Sequence, residues 1–196
     1  FWRLLATGRG RSTAPGTDAR RSALFAVWSD AVALDRFLAD HPIARRWEGA
    51  DEAWHVRLRR LGGHGTWHGF DVGEGLEAGR ADGAVAVLTR ADVRLRSWRA
   101  FAKMSPVVDE SAQRASGLVD VVGFRDAPIG RLGTFSLWRS LHDARAFAAH
   151  NSVHHDMVLR TRSEGWFTEE LFCRFQPYAS TGTWDGRDPL APSQPR

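Results

Sequence analysis

An internal repeat limits what this chain can fold into more than any other feature. Phe25-Ala26-Val27-Trp28, followed by Leu34, Phe37 and Leu38, recurs as Phe135-Ser136-Leu137-Trp138, followed by Ala144, Phe147 and Ala148, at an offset of 110 residues. Each copy then closes on one pattern, Gly65-Thr66-Trp67-His68-Gly69-Phe70-Asp71 and Gly182-Thr183-Trp184-Asp185-Gly186-Arg187-Asp188, with five identities in seven. The chain therefore reads as two copies of one α+β unit. The copies differ at position 44, an alanine, which corresponds at the same offset to His154. Packing alone would accept an apolar residue in both places, so an imidazole in only one marks where chemistry is to be sought.

Residues 1–7 read as a strand, 8–21 as a long polar hairpin loop, and 22–28 as the returning strand. A helix capped by Ser29 or Asp30 carries Val32, Leu34, Phe37 and Leu38, is interrupted at His41-Pro42, and resumes through Trp47. Residues 51–61 follow as a strand with Trp54, Val56 and Leu58 on one face, and 73–83 form a linker rich in glycine and charge. The second half opens with a strand over 84–88 and helical pieces over 97–103 and 110–118, broken at Ser105-Pro106. Strands at 117–124 and 134–138 flank a short hairpin, and a helix, a histidine cluster and a second helix lead to a last strand over 165–175.

That order, βαββαβ, is the order of a ferredoxin-like unit. The first half is expected to lack its opening strand and helix. The predicted fold class is α+β: two ferredoxin-like repeats, residues 1–79 and 80–188, whose sheets face each other around one core with helices outside. Residues 189–196, with Pro189, Pro192 and Pro195, form a loose tail.

With 196 residues and 43% hydrophobic content, the chain can bury a full core. No apolar run approaches 18 residues, so no membrane span is expected. The chain opens on Phe1-Trp2-Arg3-Leu4-Leu5 without a methionine and reads as a fragment. Its single cysteine, Cys173, allows no internal disulfide and suits a reducing cytoplasm. The net charge of +4 is carried almost wholly by arginine, which implies at most a weak attraction to anionic membrane surfaces. The arginines are spread along the chain without a binding motif, so nucleic acid is not an expected partner.

The segment His150-Asn151-Ser152-Val153-His154-His155 has the form H-x-x-x-H-H, and on a continuous helix His150 and His154 would share a face. Three readings stand open. The first is a polar helix surface. The second is a non-haem iron or zinc site, which needs more ligands than the lone Glu52-x-x-His55 supplies. The third is one imidazole bound axially to haem iron, with Trp138, Phe147, Trp166 and Phe167 lining an apolar pocket and Arg139, Arg160 or Arg162 pairing with the propionates. Gly8-Arg9-Gly10 precedes no helix and is no dinucleotide fingerprint, and no G-x-S-x-G occurs. The two GTW turns read as structural closures in which Trp packs and Asp caps.

Several segments together resemble the spheroidene monooxygenase family, the acyclic carotenoid ketolases of purple photosynthetic bacteria. They are FWRLLATGRGR, ALFAVW, DEAWHVRL, VAVLTRA, GTFSLWRS, RTRSEGWFTEELFCRF and GTWDGRDPL, and they cover most of the chain. The resemblance implies a dimeric α+β barrel type of fold, a haem cofactor, and O2-dependent insertion of a keto group at C2 of a linear carotenoid. An external electron donor of the ferredoxin kind is implied as well. The axial histidine would be His154, ahead of the R-T-R-x-E-G-W segment, with His155 second and His150 third. With a soluble composition, a carotenoid substrate implies that the cytoplasmic protein takes it from a membrane surface, with arginines aiding contact. The rivals are a haem enzyme acting on another small molecule and a haem carrier without turnover.

Overall fold

The computed structural model describes residues 1–8, 17–72 and 81–191, without the side chains of His150, Val153 and His154. Most of the predicted 8–21 loop, most of the 73–83 linker and the end of the tail lie outside the described residues. In chain order the elements are β1 (Trp2–Thr7), β2 (Ser22–Ala26), α1 (Ala31–Asp40), α2 (Pro42–Trp47), β3 (Trp54–Gly65) and β4 (Val85–Val93). A 3₁₀ turn at Leu95–Ser97 leads into α3 (Trp98–Gln113), followed by β5 (Leu118–Arg125), β6 (Arg131–Trp138), α4 (Leu141–His150), α5 (Ser152–Ser163) and β7 (Phe167–Gly182). Among the described residues no helix is long and apolar enough to cross a membrane.

The strands form one antiparallel sheet in the order β2-β1-β5-β6-β4-β7-β3. Flat, that sheet would hold β2 and β7 about 24 Å apart, five spacings of about 4.8 Å. Yet the rings of Phe25 on β2 and Phe175 on β7 lie 6.0 Å apart, and Trp54 on β3 is 6.4 Å from Phe135 on β6. The sheet therefore curls until its two edges approach, enclosing one apolar core. Alternation along the strands sends Leu5, Ala86, Leu88, Phe124, Leu137, Leu171, Cys173 and Phe175 into that core. The other set, including Val85, Val87, Val93 and Trp138, faces helices packed on the outside of the second half. The protein is thus a mixed α+β fold with a curled antiparallel sheet.

One sequence expectation needs correction. The helix after β4 is one piece that runs through Pro106 and stops at Gln113. An internal proline costs a helix about 3 kcal/mol, but Phe101 and Asp109 are buried on either side of it. The histidine stretch falls between two helices, as its order in the sequence implied, so the continuous-helix case does not arise. Asn151 adopts φ −82°, ψ 102° and ends α4, donating its N–H to the Phe147 carbonyl at 3.1 Å. His150 and His154 thus sit on different helices and lose their i, i+4 relation.

Candidate active site

The α4–α5 junction repeats the α1–α2 junction. Asp30 caps α1 by accepting from the Ala33 N–H at 2.7 Å, and Ser140 caps α4 by accepting from the Asp143 N–H at 3.1 Å. His41, extended at φ −77°, ψ 134°, donates its N–H to the Phe37 carbonyl at 3.0 Å, as Asn151 does to Phe147. Ala44 is then the third residue of α2, and position 154 the third of α5. Ala44 is 7% exposed. Along α5, Met157 and Val158 are half-buried and Thr161 is buried, whereas His155, Asp156 and Leu159 are exposed. Met157, Val158 and Thr161, three, four and seven residues after position 154, mark the inward stripe of α5. The His150 and His154 side chains lie outside the described residues. His155 lies on the solvent stripe.

Beneath α4 and α5 the outer face of the sheet carries two apolar clusters. Trp138 is buried with Val85, Val87 and Ala144, 5.2 Å from the Phe147 ring, and donates its indole N–H to Ser136 Oγ at 2.9 Å. Phe101, Trp166 and Val93 form the second cluster, with Met157 and Met104 against it. Between them the sheet presents Gly123, Thr134, Thr89 and Ala91 across three neighbouring strands. Thr89 and Thr134 join hydroxyls at 2.6 Å and stay half-buried although both sit on interior strands. These small side chains form a floor between the two clusters.

The predicted pocket residues are only partly brought together, since Trp138 belongs to the first cluster and Trp166 to the second. Arg160 stands beside the second, stacked 5.4 Å over Trp166 and paired with Glu164 Oε1 at 3.1 Å. Arg139 pairs with Asp143 at 3.8 Å. Glu52 and His55 do not form a metal pair. Glu52 accepts from Thr183 and Gly186, and His55 lies 6.2 Å from the Trp47 ring. Among the described residues no three His, Cys, Asp or Glu side chains converge as a metal site would require.

Sequence reasoning missed a polar cluster at one end of the curled sheet. The buried Arg90 guanidinium reaches Glu169, Asp92 and, at 3.6 Å, Asp126. Asp126 accepts from the Trp67 indole at 2.7 Å and faces His68 Nε2 at 3.4 Å, while Arg3 donates to His68 Nδ1 at 2.7 Å. Burial, then the Arg3 and Arg90 cations, hold the His68 imidazole below its usual range. Glu169 takes the Thr66 hydroxyl at 2.7 Å and the His68 and Gly69 N–H groups at 3.0 and 2.8 Å. Burial would raise its carboxyl, but these bonds and Arg90 outweigh that and hold it at about 2. A signal did exist: Arg90 alternates in register with Ala86 and Leu88, the core face of β4.

No family model matches the chain. The spheroidene monooxygenase of Rhodobacter capsulatus is 31% identical over 194 residues, spanning 97% of this chain and 80% of that protein. That of Cereibacter sphaeroides is 30% identical over 97% of this chain and 59% of its own length, and that of Rubrivivax gelatinosus 31% identical over 95% and 72%. Among solved structures, a candidate monooxygenase from Fusobacterium nucleatum aligns with TM-score 0.48 and 12% identity over 91% of this chain and 77% of its own. At about 30% identity along nearly its whole length, the chain belongs to the spheroidene monooxygenase family.

Proposed function

We propose that this chain is a haem-dependent, O2-using monooxygenase that places a keto group at C2 of an acyclic carotenoid such as spheroidene, with His154 as the residue that would hold the iron. The observation that carries the reading is the place of position 154. It is the third residue of α5, after a helix junction that repeats the one before α2, whose third residue is the buried Ala44. An imidazole there, a floor of small side chains and apolar walls on either side fit the needs of a flat, largely apolar macrocycle.

When bound, the cofactor would supply O2 activation with electrons from an external donor such as ferredoxin. This chain's residues would do the rest. His154 would hold the iron, and Trp138, Phe147 and Trp166 would exclude water. The Thr89 and Thr134 hydroxyls would offer hydrogen bonds at the floor. Arg160 would exchange its exposed pairing with Glu164, worth little in solvent, for a propionate. His155, on the solvent stripe, is second choice. The product requires two successive hydroxylations at one carbon, each consuming one O2 and two electrons and releasing one water; loss of water from the geminal diol then gives the ketone.

The same reading extends to architecture. We take residues 1–79 and 80–188 as two ferredoxin-like repeats of a dimeric α+β barrel fold, supported by the order β5-β6-β4-β7 in the second half and by the twin helix junctions. The test is visible absorption of the protein purified with haem supplied, compared with His154→Ala and His155→Ala. The Soret band should be lost only in His154→Ala. A wild-type protein with neither Soret band nor bound iron, or a His154→Ala protein with an unchanged spectrum, overturns the assignment. The pigments of a carotenoid-producing host, with and without the chain, then test the substrate.

A further inference from the structure

Exposed apolar side chains come together at two places on the sheet: Trp2 and Leu4 share one face of β1, and a second pair stands at one end. Large exposed apolar side chains on the helices stand singly, as they do on most proteins. Where β4 ends and β5 turns into β6, two stand close in the fold: Leu95, 80% exposed, and Ile129, 61% exposed. Leu95 opens the 3₁₀ turn after β4, and Ile129 tips the β5–β6 hairpin. Neither is on a loose loop. The Val93 N–H donates to the Gly130 carbonyl at 2.7 Å and the Arg94 N–H to the Trp166 carbonyl at 2.8 Å, locking the two tips to the sheet. Gly130 makes that approach possible. Its φ is +77°, and a Cβ would stand 3.1 Å from the Val93 oxygen.

Arginines surround the tips. Arg94 and Arg96 are exposed on either side of Leu95, Arg125 spends one N–H on the Pro128 carbonyl, and Arg131 is half exposed. Among the described residues neither Arg94, Arg96 nor Arg125 has a carboxylate within 4.0 Å. The acids of this end, Asp92, Asp126 and Glu169, are gathered on Arg90, and Asp92 also pairs with Arg131 at 3.6 Å. A groove of mixed lining, Leu4, Ala6, Thr17, Arg125, Asp126, Ala127 and Pro128, lies beside the β5–β6 hairpin.

We propose that this end docks on a bilayer carrying anionic headgroups, with Leu95 and Ile129 entering the headgroup–acyl boundary and Arg94, Arg96, Arg125 and Arg131 meeting the phosphates. Two narrow apolar tips are too little for a stable protein interface, which needs about 800 Å² per partner. Spaced tips ringed by guanidinium groups, of which those of Arg94, Arg96 and Arg125 have no carboxylate partner among the described residues, match a surface that is apolar at depth and negative above. The inference rests on exposure and charge and needs no cofactor, so it stands or falls apart from the haem assignment.

The test is flotation of the protein with vesicles of phosphatidylcholine alone or mixed equally with phosphatidylglycerol, at low and at raised salt. Wild-type protein should partition onto the anionic vesicles and be released by salt. Arg94→Ala combined with Arg96→Ala should lower the partition coefficient about twentyfold, at roughly fivefold per cation. Leu95→Ser with Ile129→Ser should lower it about tenfold or more on the same vesicles. Both pairs are exposed, so unfolding temperatures should match wild type. Equal partition onto neutral and anionic vesicles, or variants that float like wild type, would overturn the proposal.

Discussion

The two closing turns carry nearly the same residues and almost the same local geometry, yet they lie in different surroundings. In each, Trp pairs with the residue three on, and the two residues between have positive φ: 51° and 75° at His68-Gly69, 51° and 78° at Asp185-Gly186. Each threonine N–H donates to the backbone of the other half, Thr66 to Glu170 and Thr183 to Ala53. Each turn is also clasped by a glutamate of the other half, Glu169 or Glu52. But Trp67 is 0% exposed, wedged among Phe1, Phe25 and Phe124 with Asp126 on its indole. Trp184 is half-buried beside Trp54 and Phe135. A copied motif fixes the hairpin; residues outside the motif fix what the hairpin contributes.

The widest separation between the turns should appear on truncation. Trp67→Ala removes a fully buried indole and leaves Asp126 without its donor, so a loss of about 3–5 kcal/mol is expected in urea unfolding. Trp184→Ala should cost about 1–2 kcal/mol, because much of that side chain already meets water. Equal losses would mean that the motif itself, and not its surroundings, sets the energy. Arg90→Ala should fall close behind Trp67→Ala, at about 3–5 kcal/mol, since three carboxylates would lose their shared cation.

These contrasts show what the chain made legible. The turns, the order of strands and the face bearing Trp54 and Leu58 follow from local residue types, and the structure has them. The interruption at His41-Pro42 was readable because proline announces it. Its counterpart at Asn151 was readable as a cluster between two helices but not to the residue, since asparagine does not announce a break as proline does. Pro106 misled in the other direction, because burial of Phe101 and Asp109 overrode a local penalty. The clasping glutamates lie 103 and 131 residues from the threonines they bind. No local pattern reports a pairing at that distance. Of the candidate site, the offset linking Ala44 to His154 was readable, whereas the Thr89–Thr134 floor depends on which strands become neighbours.

The smallest effect offers the sharpest comparison, because it sets the two glutamates against each other at the same position of the motif. Glu169 is held at about 2 against an ordinary 4.5, and Glu52 is lowered by the Gly186 N–H and the Thr183 hydroxyl. Both carboxyls are depressed in the folded state. Each therefore contributes stability that is present above the unfolded value and lost as pH falls through the folded one. For Glu169 the shift sets an upper limit of about 3 kcal/mol. Its outer edge meets solvent, so about 1–2 kcal/mol is expected between roughly pH 5 and pH 2. Glu169→Gln should flatten that part of the acid limb in a urea titration repeated across pH. Glu52→Gln should flatten it much less, since its carboxylate is fully hydrated and no buried cation depends on it. If the two substitutions changed the acid limb equally, the clasp alone would account for the dependence, and the buried Arg90 would have no part in distinguishing the two ends of the sheet.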